Sequence, residues 1–263
     1  MKLGFIGCGN MASAMIKGIV SNGVIEATEI IASDAFQAAR EKAGELGIHT
    51  TSDNIEVVRK AEVVVLAVKP QYIEAVISEI KEAVPEDKLL ISIVAGKTIA
   101  WFEEKFEKQI TLVRTMPNTP ALVGEGMTGA CANAKVTKEQ LDQAVCILKG
   151  FGHVEVVPER LIDVVVSVSG SSPAYVFMFI EAMADAAVAD GMPRDQAYRF
   201  AAQAVLGSAK MVMETGMHPA ALKDMVCSPA GTTIEAVRVL EEKGMRSAVF
   251  EAMKACVKKA KEL

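Results

Sequence analysis

The chain has 263 residues, a formal net charge of -5, 51% hydrophobic and 23% charged residues. That length holds two modest domains with cores of their own, and an acidic balance without a basic run excludes nucleic acid as the expected partner. Five scattered cysteines with no C-x-x-C pair and no histidine at ligand spacing read as free thiols in a reducing compartment and give no metal site.

Taken in chain order, an apolar strand is expected at Leu3–Ile6, running into Gly7, Gly9 and Ala12, spaced G-x-G-x-x-A, and then into an amphipathic helix. Gly7 permits a tight turn, Gly9 brings backbone close to a pyrophosphate, and Ala12 lets the helix pack on the strand. Cys8, Asn10 and Met11 should offer backbone amides or nearby side chains to that pyrophosphate. The expected first strand leaves no room for a signal peptide, and Gly7, Gly9 and Asn10 would interrupt one. A second strand over residues 29–32 ends at Ser33 and Asp34, where a ribose belongs. An acid there binds the 2′-hydroxyl of NADH and repels the 2′-phosphate of NADPH; the first arginine after it is Arg40.

Residues 61–68 and 89–94 are continuous apolar runs, as strands buried on both faces should be. Helical periodicity at residues 35–46, 72–84 and 137–149 lies between strands, the pattern of a parallel sheet wrapped on both faces. The strand ends Val68, Lys69, Pro70 and Val94, Ala95, Gly96 fall at the carboxyl edge, where nicotinamide sits in open α/β folds. Lys69 reads either as a phosphate or carboxylate partner or as a solvated strand-end lysine. Residues 114–120, RTMPNTP, carry two prolines around Asn118 and Thr119 and should form a stiff loop in the same crevice.

From residue 161 onward the strands stop and helical stretches separated by Gly or Pro take over, at residues 161–168, 173–190, 193–215, 219–227, 232–243 and 245–259. The expected organisation is a Rossmann-type dinucleotide-binding domain over residues 1–158 and a helical domain over 159–263. Residues 173–189 are apolar on nearly every face and must be buried all round. A helical region of that size cannot bury them alone, so a homodimer sharing this core is expected. The longest apolar run, residues 173–180, is far short of the roughly 20 residues that span a bilayer; a soluble, cytoplasmic protein without a membrane partner is expected.

Residues 223–235, KDMVCSPAGTTIE, describe a small-residue turn opening a helix. Ser228, Pro229, Ala230 and Gly231 keep the turn tight, while Thr232 and Thr233 place hydroxyls beside unpaired amides. That outlines a carboxylate cradle; an ordinary turn with a Thr N-cap is the other reading.

FIGCGNMA at residues 5–12, LAVKPQ at 66–71, RTMPNTP at 114–120, SGSSPAY at 169–175 and the 223–235 stretch together resemble the pyrroline-5-carboxylate reductase family over essentially the whole chain. The resemblance implies reduction of the cyclic imine 1-pyrroline-5-carboxylate to proline, with NADPH often used as cofactor, and assembly as dimers or rings of dimers. It places Ser33 and Asn54 at the adenosine side of NADP or NAD, residues 114–120 with Asn118 around the nicotinamide, and Glu159 at the imine side. The substrate carboxylate falls on Ser228, Gly231, Thr232 and Thr233, with Thr233 hydrogen bonding the ring nitrogen, on a helix that the partner subunit can supply. Met225 departs from a polar side chain carried by the family. Asp34 counts toward NADH, and both cofactors stay open.

A protonated imine is already activated, so positioning and electrostatics should carry most of the rate. A nicotinamide-dependent 3-hydroxy acid dehydrogenase, the nearest rival, needs a Lys or His base. Residues 173–190 offer neither; Lys210 reads as a surface charge, and His49, His153 and His218 sit in no motif. A dinucleotide-binding regulatory protein without turnover would keep the glycine loop and lose SPAGTT and MPNTP, which are both intact.

Overall fold

The computed structural model describes residues 1–262. By internal contacts the chain forms two compact units, one of Met1–Ser171 joined by the residues from Cys256 onward, the other Ser172–Ala255. In the first, strands and helices alternate: β1 Leu3–Ile6, α1 Asn10–Ser21, β2 Ile30–Ser33, α2 Gln37–Gly44, β3 His49–Thr51, α3 Asn54–Lys60, β4 Val63–Leu66, α4 Ile73–Ile80, β5 Leu89–Ser92, α5 Ile99–Phe106, β6 Thr111–Met116, β7 Gly126–Ala132, α6 Lys138–Lys149, β8 Gly152–Val156 and α7 Ile162–Val165. They build one sheet of order β3-β2-β1-β4-β5-β6-β7-β8.

The inner strands β1, β2, β4, β5 and β6 are buried on both faces because their side chains alternate between two cores. Leu3, Phe5, Ile30, Ala32, Val63, Val65 and Ile91 meet Ala12, Met15, Ile16 and Ile19 of α1 and Ala144, Ile147 and Leu148 of α6. Ile6, Ile31, Val64, Leu66 and Leu90 point the other way, onto Val57 and Val58 of α3, Ile73, Ile77 and Ile80 of α4, and Phe102 and Phe106 of α5. α6 starts where Thr137 and Gln140 exchange side-chain-to-backbone bonds in a capping box.

The sheet is not wholly parallel as the alternation suggested. β1 through β6 run together, but β7 pairs antiparallel with β6, and β8 follows β7. The reversal is local chemistry: after β6 the prolines lead into a single turn of 3-10 helix, Thr119–Val123, closed by Gly124 at φ 79. No crossover helix intervenes, so the next strand returns alongside its predecessor.

The boundary between units lies later than Pro158. Ile162 is buried in the second core, Glu159 pairs with Arg114 of β6, and the π-helical turn Val166–Gly170 is tied back through Ser169 to Asn118. Residues 159–171 therefore belong with the sheet.

The second unit is helical: α8 Ser172–Ala189, α9 Arg194–Thr215, α10 Pro219–Val226, α11 Thr232–Glu242 and most of α12 Met245–Ala260. Within one chain α8 buries only Ala184, leaving Val176, Phe177, Met178, Phe179 and Met183 exposed. The stretch Glu159–Ala189 is long and apolar enough by composition to cross a membrane, with a mean hydropathy of 1.4 in its most apolar window, which counting the run 173–180 alone had missed. A face this apolar calls for a partner surface.

Candidate active site

β1 and β4 are neighbours although β2 and β3 come between them in sequence, so chain order reverses there. In open α/β sheets ligands bind outside the carboxyl ends of the strands at such a switch point. Gly7 follows β1 with φ 104, and a Cβ on it would lie 2.6 Å from the Ala67 carbonyl after β4; only glycine fits. Gly9 is the N-cap of α1, with no side-chain cap, and a Cβ placed on it would meet no atom within 4 Å. Open space thus lies before an uncapped helix start, and the amides of Asn10 and Met11 border it, which fits a pyrophosphate. Ala12 is fully buried, as close helix packing requires.

Cys8 does not serve there as expected. Its amide donates to Asp34 Oδ2 at 2.8 Å, so it is committed to the end of β2. Its thiol is pushed up to about 12, first by burial and then by the Asp34 charge, against a lowering by Arg40. A protonated, buried thiol is apolar filler.

Asp34 is held firmly: besides the Cys8 bond, Oδ1 accepts from the Phe36 amide at 2.9 Å. Arg40, six residues further along, is close in space, Nη1 donating to the carbonyls of Asp34 and Ala35 at 2.7 and 3.1 Å. Acid and guanidinium therefore share the edge where the 2′ position belongs. Ser33 takes a different place from a cofactor contact: it is fully buried, with Oγ 2.7 Å from its acceptor Asn54 Oδ1. Asn54 in turn donates to Glu79 Oε2 at 2.7 Å, so Ser33 orients Asn54, and Asn54 alone of the two reaches the surface.

At the nicotinamide end, Val68 is half-buried and Lys69 and Pro70 are exposed at the end of β4. Lys69 Nζ has no carboxylate partner among the described residues, while its carbonyl accepts from the Tyr72 amide at 2.9 Å. Ala95 and Gly96, the latter at φ 74, are half-buried in the turn from β5 to α5. Asn118 is buried and its amide is engaged at both ends, Nδ2 on the Ser169 carbonyl at 2.9 Å and Oδ1 on the Met127 amide at 2.8 Å. It staples the MPNTP loop to β7 and to the SGSSP turn rather than presenting a free amide.

Sequence reasoning took Arg114 as the start of a stiff loop, residues 114–120, beside the nicotinamide, whereas the structure extends β6 through Met116 and places Arg114 inside that strand. It is almost completely buried, and Nη1 donates to Glu159 Oε1 at 2.9 Å, with Asp163 at 3.9 Å. The same Glu159 oxygen accepts from the Ile99 amide at 2.8 Å. Across the sheet from Arg114, the Cys131 thiol is raised to about 11 by burial and by Glu159, opposed by Arg114. An arginine inside an apolar strand was the available signal, because a buried charge needs a partner.

In the second unit, Gly231 is the N-cap of α11, with no side-chain cap bond. Its amide donates to the Ser228 carbonyl at 3.0 Å, and Ala230 sits at φ 56. The Thr N-cap of the other reading is absent: Thr232 and Thr233 are the first helical residues, so their amides and hydroxyls share an uncapped start. Met225 is exposed. None of the alternative bases is placed for catalysis: Lys210 is exposed beside Glu214, His218 caps α10 through Nδ1, and His49 and His153 are exposed strand residues. No group of three His, Cys, Asp or Glu able to hold a metal occurs among the described residues.

Residues 159–263 match the family model for pyrroline-5-carboxylate reductase dimerisation, and residues 2–96 match that for NADP oxidoreductase, coenzyme F420-dependent. The chain is 52% identical to pyrroline-5-carboxylate reductase of Escherichia coli, the match covering 100% of this chain and 98% of that one. The chain belongs to the pyrroline-5-carboxylate reductase family. It is an oxidoreductase of the proline-forming step, homo-oligomeric through its helical domain. A solved pyrroline-5-carboxylate reductase from Coxiella burnetii superposes with a TM-score of 0.94 at 38% identity, covering 99% of this chain and 97% of that one. That of Plasmodium falciparum, with NADP bound, gives 0.90 at 32% identity, covering 100% and 97%. The apolar face of α8 is thereby accounted for by a dimerisation domain.

Proposed function

We propose that this reductase holds a nicotinamide dinucleotide on Gly7, Gly9, Asn10 and Met11, with Asp34 and Asn54 at the ribose end and Val68, Lys69, Pro70, Ala95 and Gly96 at the nicotinamide end. The substrate carboxylate of 1-pyrroline-5-carboxylate goes to Ser228, Gly231, Thr232 and Thr233. The observation that carries the substrate half is the uncapped start of α11 behind a glycine whose missing Cβ leaves Ser228 in place. Unpaired amides there and two threonine hydroxyls suit a carboxylate.

The reduced nicotinamide, when bound, supplies the hydride. The chain's own work is to orient the ring and keep its nitrogen hydrogen bonded. The C=N π electrons pass to nitrogen as the imine carbon, C2 of the pyrroline and C5 of the proline formed, gains hydrogen, and nitrogen keeps the proton it already carried, so no strong general acid is needed. Thr233 Oγ1 is the group assigned to that nitrogen; catalysis is then chiefly orientation and electrostatic support.

For the cofactor, Asp34 with both carboxylate oxygens fixed by amides favours a ribose 2′-hydroxyl, hence NADH, and Arg40 beside it permits NADPH. The dinucleotide-binding part runs to Ser171 and the helical part follows it, the assembly is a homodimer or a ring of dimers, and the compartment is the cytoplasm. Turnover of 1-pyrroline-5-carboxylate with each cofactor, together with the sedimentation mass of the purified protein, tests these assignments. Turnover of a 3-hydroxy acid instead would overturn them.

A further inference from the structure

The geometry points to Glu159 as a positioning residue, held by buried Arg114, that fixes the turn Ala95–Thr98 against the nicotinamide by accepting the Ile99 amide. This rests on the proposed cofactor placement and changes the part Glu159 plays in it, from touching the imine to acting through backbone.

The turn between β5 and α5 is anchored at its two ends. At the upstream end the Val94 amide donates to Ser92 Oγ at 3.2 Å, and the Ser92 carbonyl accepts from Thr115 Oγ1 at 2.9 Å. At the downstream end Thr98 Oγ1 accepts from the Trp101 amide at 3.1 Å, and Glu159 Oε1 accepts from the Ile99 amide. Between them lie Gly96 at φ 74 and Lys97, whose ammonium stands over the Trp101 ring, and the anchors at either end set where the chain enters and leaves the turn.

Glu159 is well suited to hold one of them. Its carboxylate faces the positive end of α5 and a guanidinium together, both of which favour a negative charge. Arg114 is only 6% exposed at its side chain, on a strand whose neighbours fix it, so it cannot swing away. Hence the carboxylate sits at one spot, and the first amide of α5 with it. A displacement of about 1 Å in a group aligning the reacting centres costs on the order of 100-fold in rate, so a backbone staple at this place governs turnover without contacting substrate.

The chain contains one tryptophan, Trp101, in the first turn of α5. Its ring stacks edge-on against Phe102, and its fluorescence anisotropy reports order in that turn independently of activity. Four full-length variants separate the possibilities. Glu159→Ala removes both acceptors; Glu159→Gln keeps an oxygen but not the charge. Ile99→Pro removes the amide hydrogen along with part of the buried side chain, and is compatible with the backbone because Thr98 is extended at ψ 163 and Ile99 is the first helical residue. Ile99→Val trims the side chain but keeps the amide.

With the cofactor that the wild-type enzyme uses faster, Glu159→Ala and Ile99→Pro should lower kcat by about 10- to 100-fold. Cofactor Kd and imine KM should stay within about threefold, and Trp101 anisotropy should fall. Ile99→Val should remain near wild type in all four readouts, and Glu159→Gln, which keeps an acceptor for the Ile99 amide but leaves buried Arg114 without its anionic partner, should fall between wild type and Glu159→Ala. Two results would overturn the proposal. One is Glu159→Gln as impaired as Glu159→Ala, with KM for the imine raised, which marks a direct charge contact. The other is Ile99→Pro matching Ile99→Val in kcat and anisotropy. If Glu159→Ala does not fold, the Ile99 pair decides alone. If the wild type turns over no imine, the function is at fault, and Trp101 anisotropy still tests the staple.

Discussion

Adding one methyl group to Gly231 probes the carboxylate cradle with little else disturbed. Gly231 has φ -78 and ψ 168, which any L-residue adopts, so conformation is no obstacle. Crowding is: the new Cβ would sit 2.3 Å from Ser228 Oγ and 3.1 Å from the Ser228 carbonyl oxygen. The hydroxyl can rotate away, but the carbonyl is the acceptor of the Gly231 amide itself, and the turn must open to relieve the contact. Overpacking of this kind costs roughly 1–3 kcal/mol. If that loss falls on the bound carboxylate, KM for 1-pyrroline-5-carboxylate rises about 5- to 150-fold. The assay is steady-state kinetics of Gly231→Ala beside a fluorescence titration of the cofactor and a thermal melt. An unchanged KM in a folded variant, or an equal loss of cofactor affinity, would refute the placement of the substrate. Ala230→Gly is the matched control: at φ 56 a non-glycine residue carries strain of about 1–2 kcal/mol. Glycine should leave KM alone and raise stability by up to about 1 kcal/mol after its greater unfolded-state freedom is subtracted.

Thr233→Ala should raise KM for the imine and lower kcat with cofactor binding unchanged, and a parallel fall in cofactor affinity would contradict its assignment. Asp34→Ser should raise the NADPH-to-NADH ratio of kcat/KM, since it removes the charge that opposes a 2′-phosphate; a constant ratio would mean that Asp34 does not face the ribose. The buried thiols give a pH prediction. Cys8 at about 12 and Cys131 at about 11 lie above the ordinary value of 9.0, so the folded state holds these protons more tightly than the unfolded state. Their contribution to stability is whole below about pH 9 and is lost as pH rises through the folded values. Alkylation near pH 8 should therefore modify exposed Cys146 and spare Cys8 and Cys131 until the protein unfolds, and native labelling of Cys8 would contradict its burial.

The parts legible in the sequence were those whose cause is local. β1 lies at Leu3–Ile6 as its apolar run and glycine loop require, and α8 and α9 match the expected stretches closely because Pro and Gly punctuate them. β2 is displaced by one residue, to Ile30–Ser33, which buries Ser33 instead of exposing it. The features that escaped depend on residues distant in sequence. β7 turns back because of a short 3-10 turn, and nothing in its own composition marks the direction. Glu159 and Arg114 are a pair only once β6 and the segment after β8 are adjacent. Asn118 reads as a loop side chain in sequence, whereas the fold uses both ends of its amide. The apolar excess of α8 was the exception, a non-local property visible locally, since no arrangement within one chain covers every face of such a helix.

The most direct test of the whole account is the oxidation of NADH and of NADPH by the purified protein with 1-pyrroline-5-carboxylate, run side by side under identical conditions with proline measured as product. The account predicts turnover with proline formed in proportion to cofactor consumed, faster with NADH. A protein that binds either cofactor yet forms no proline with both would contradict it.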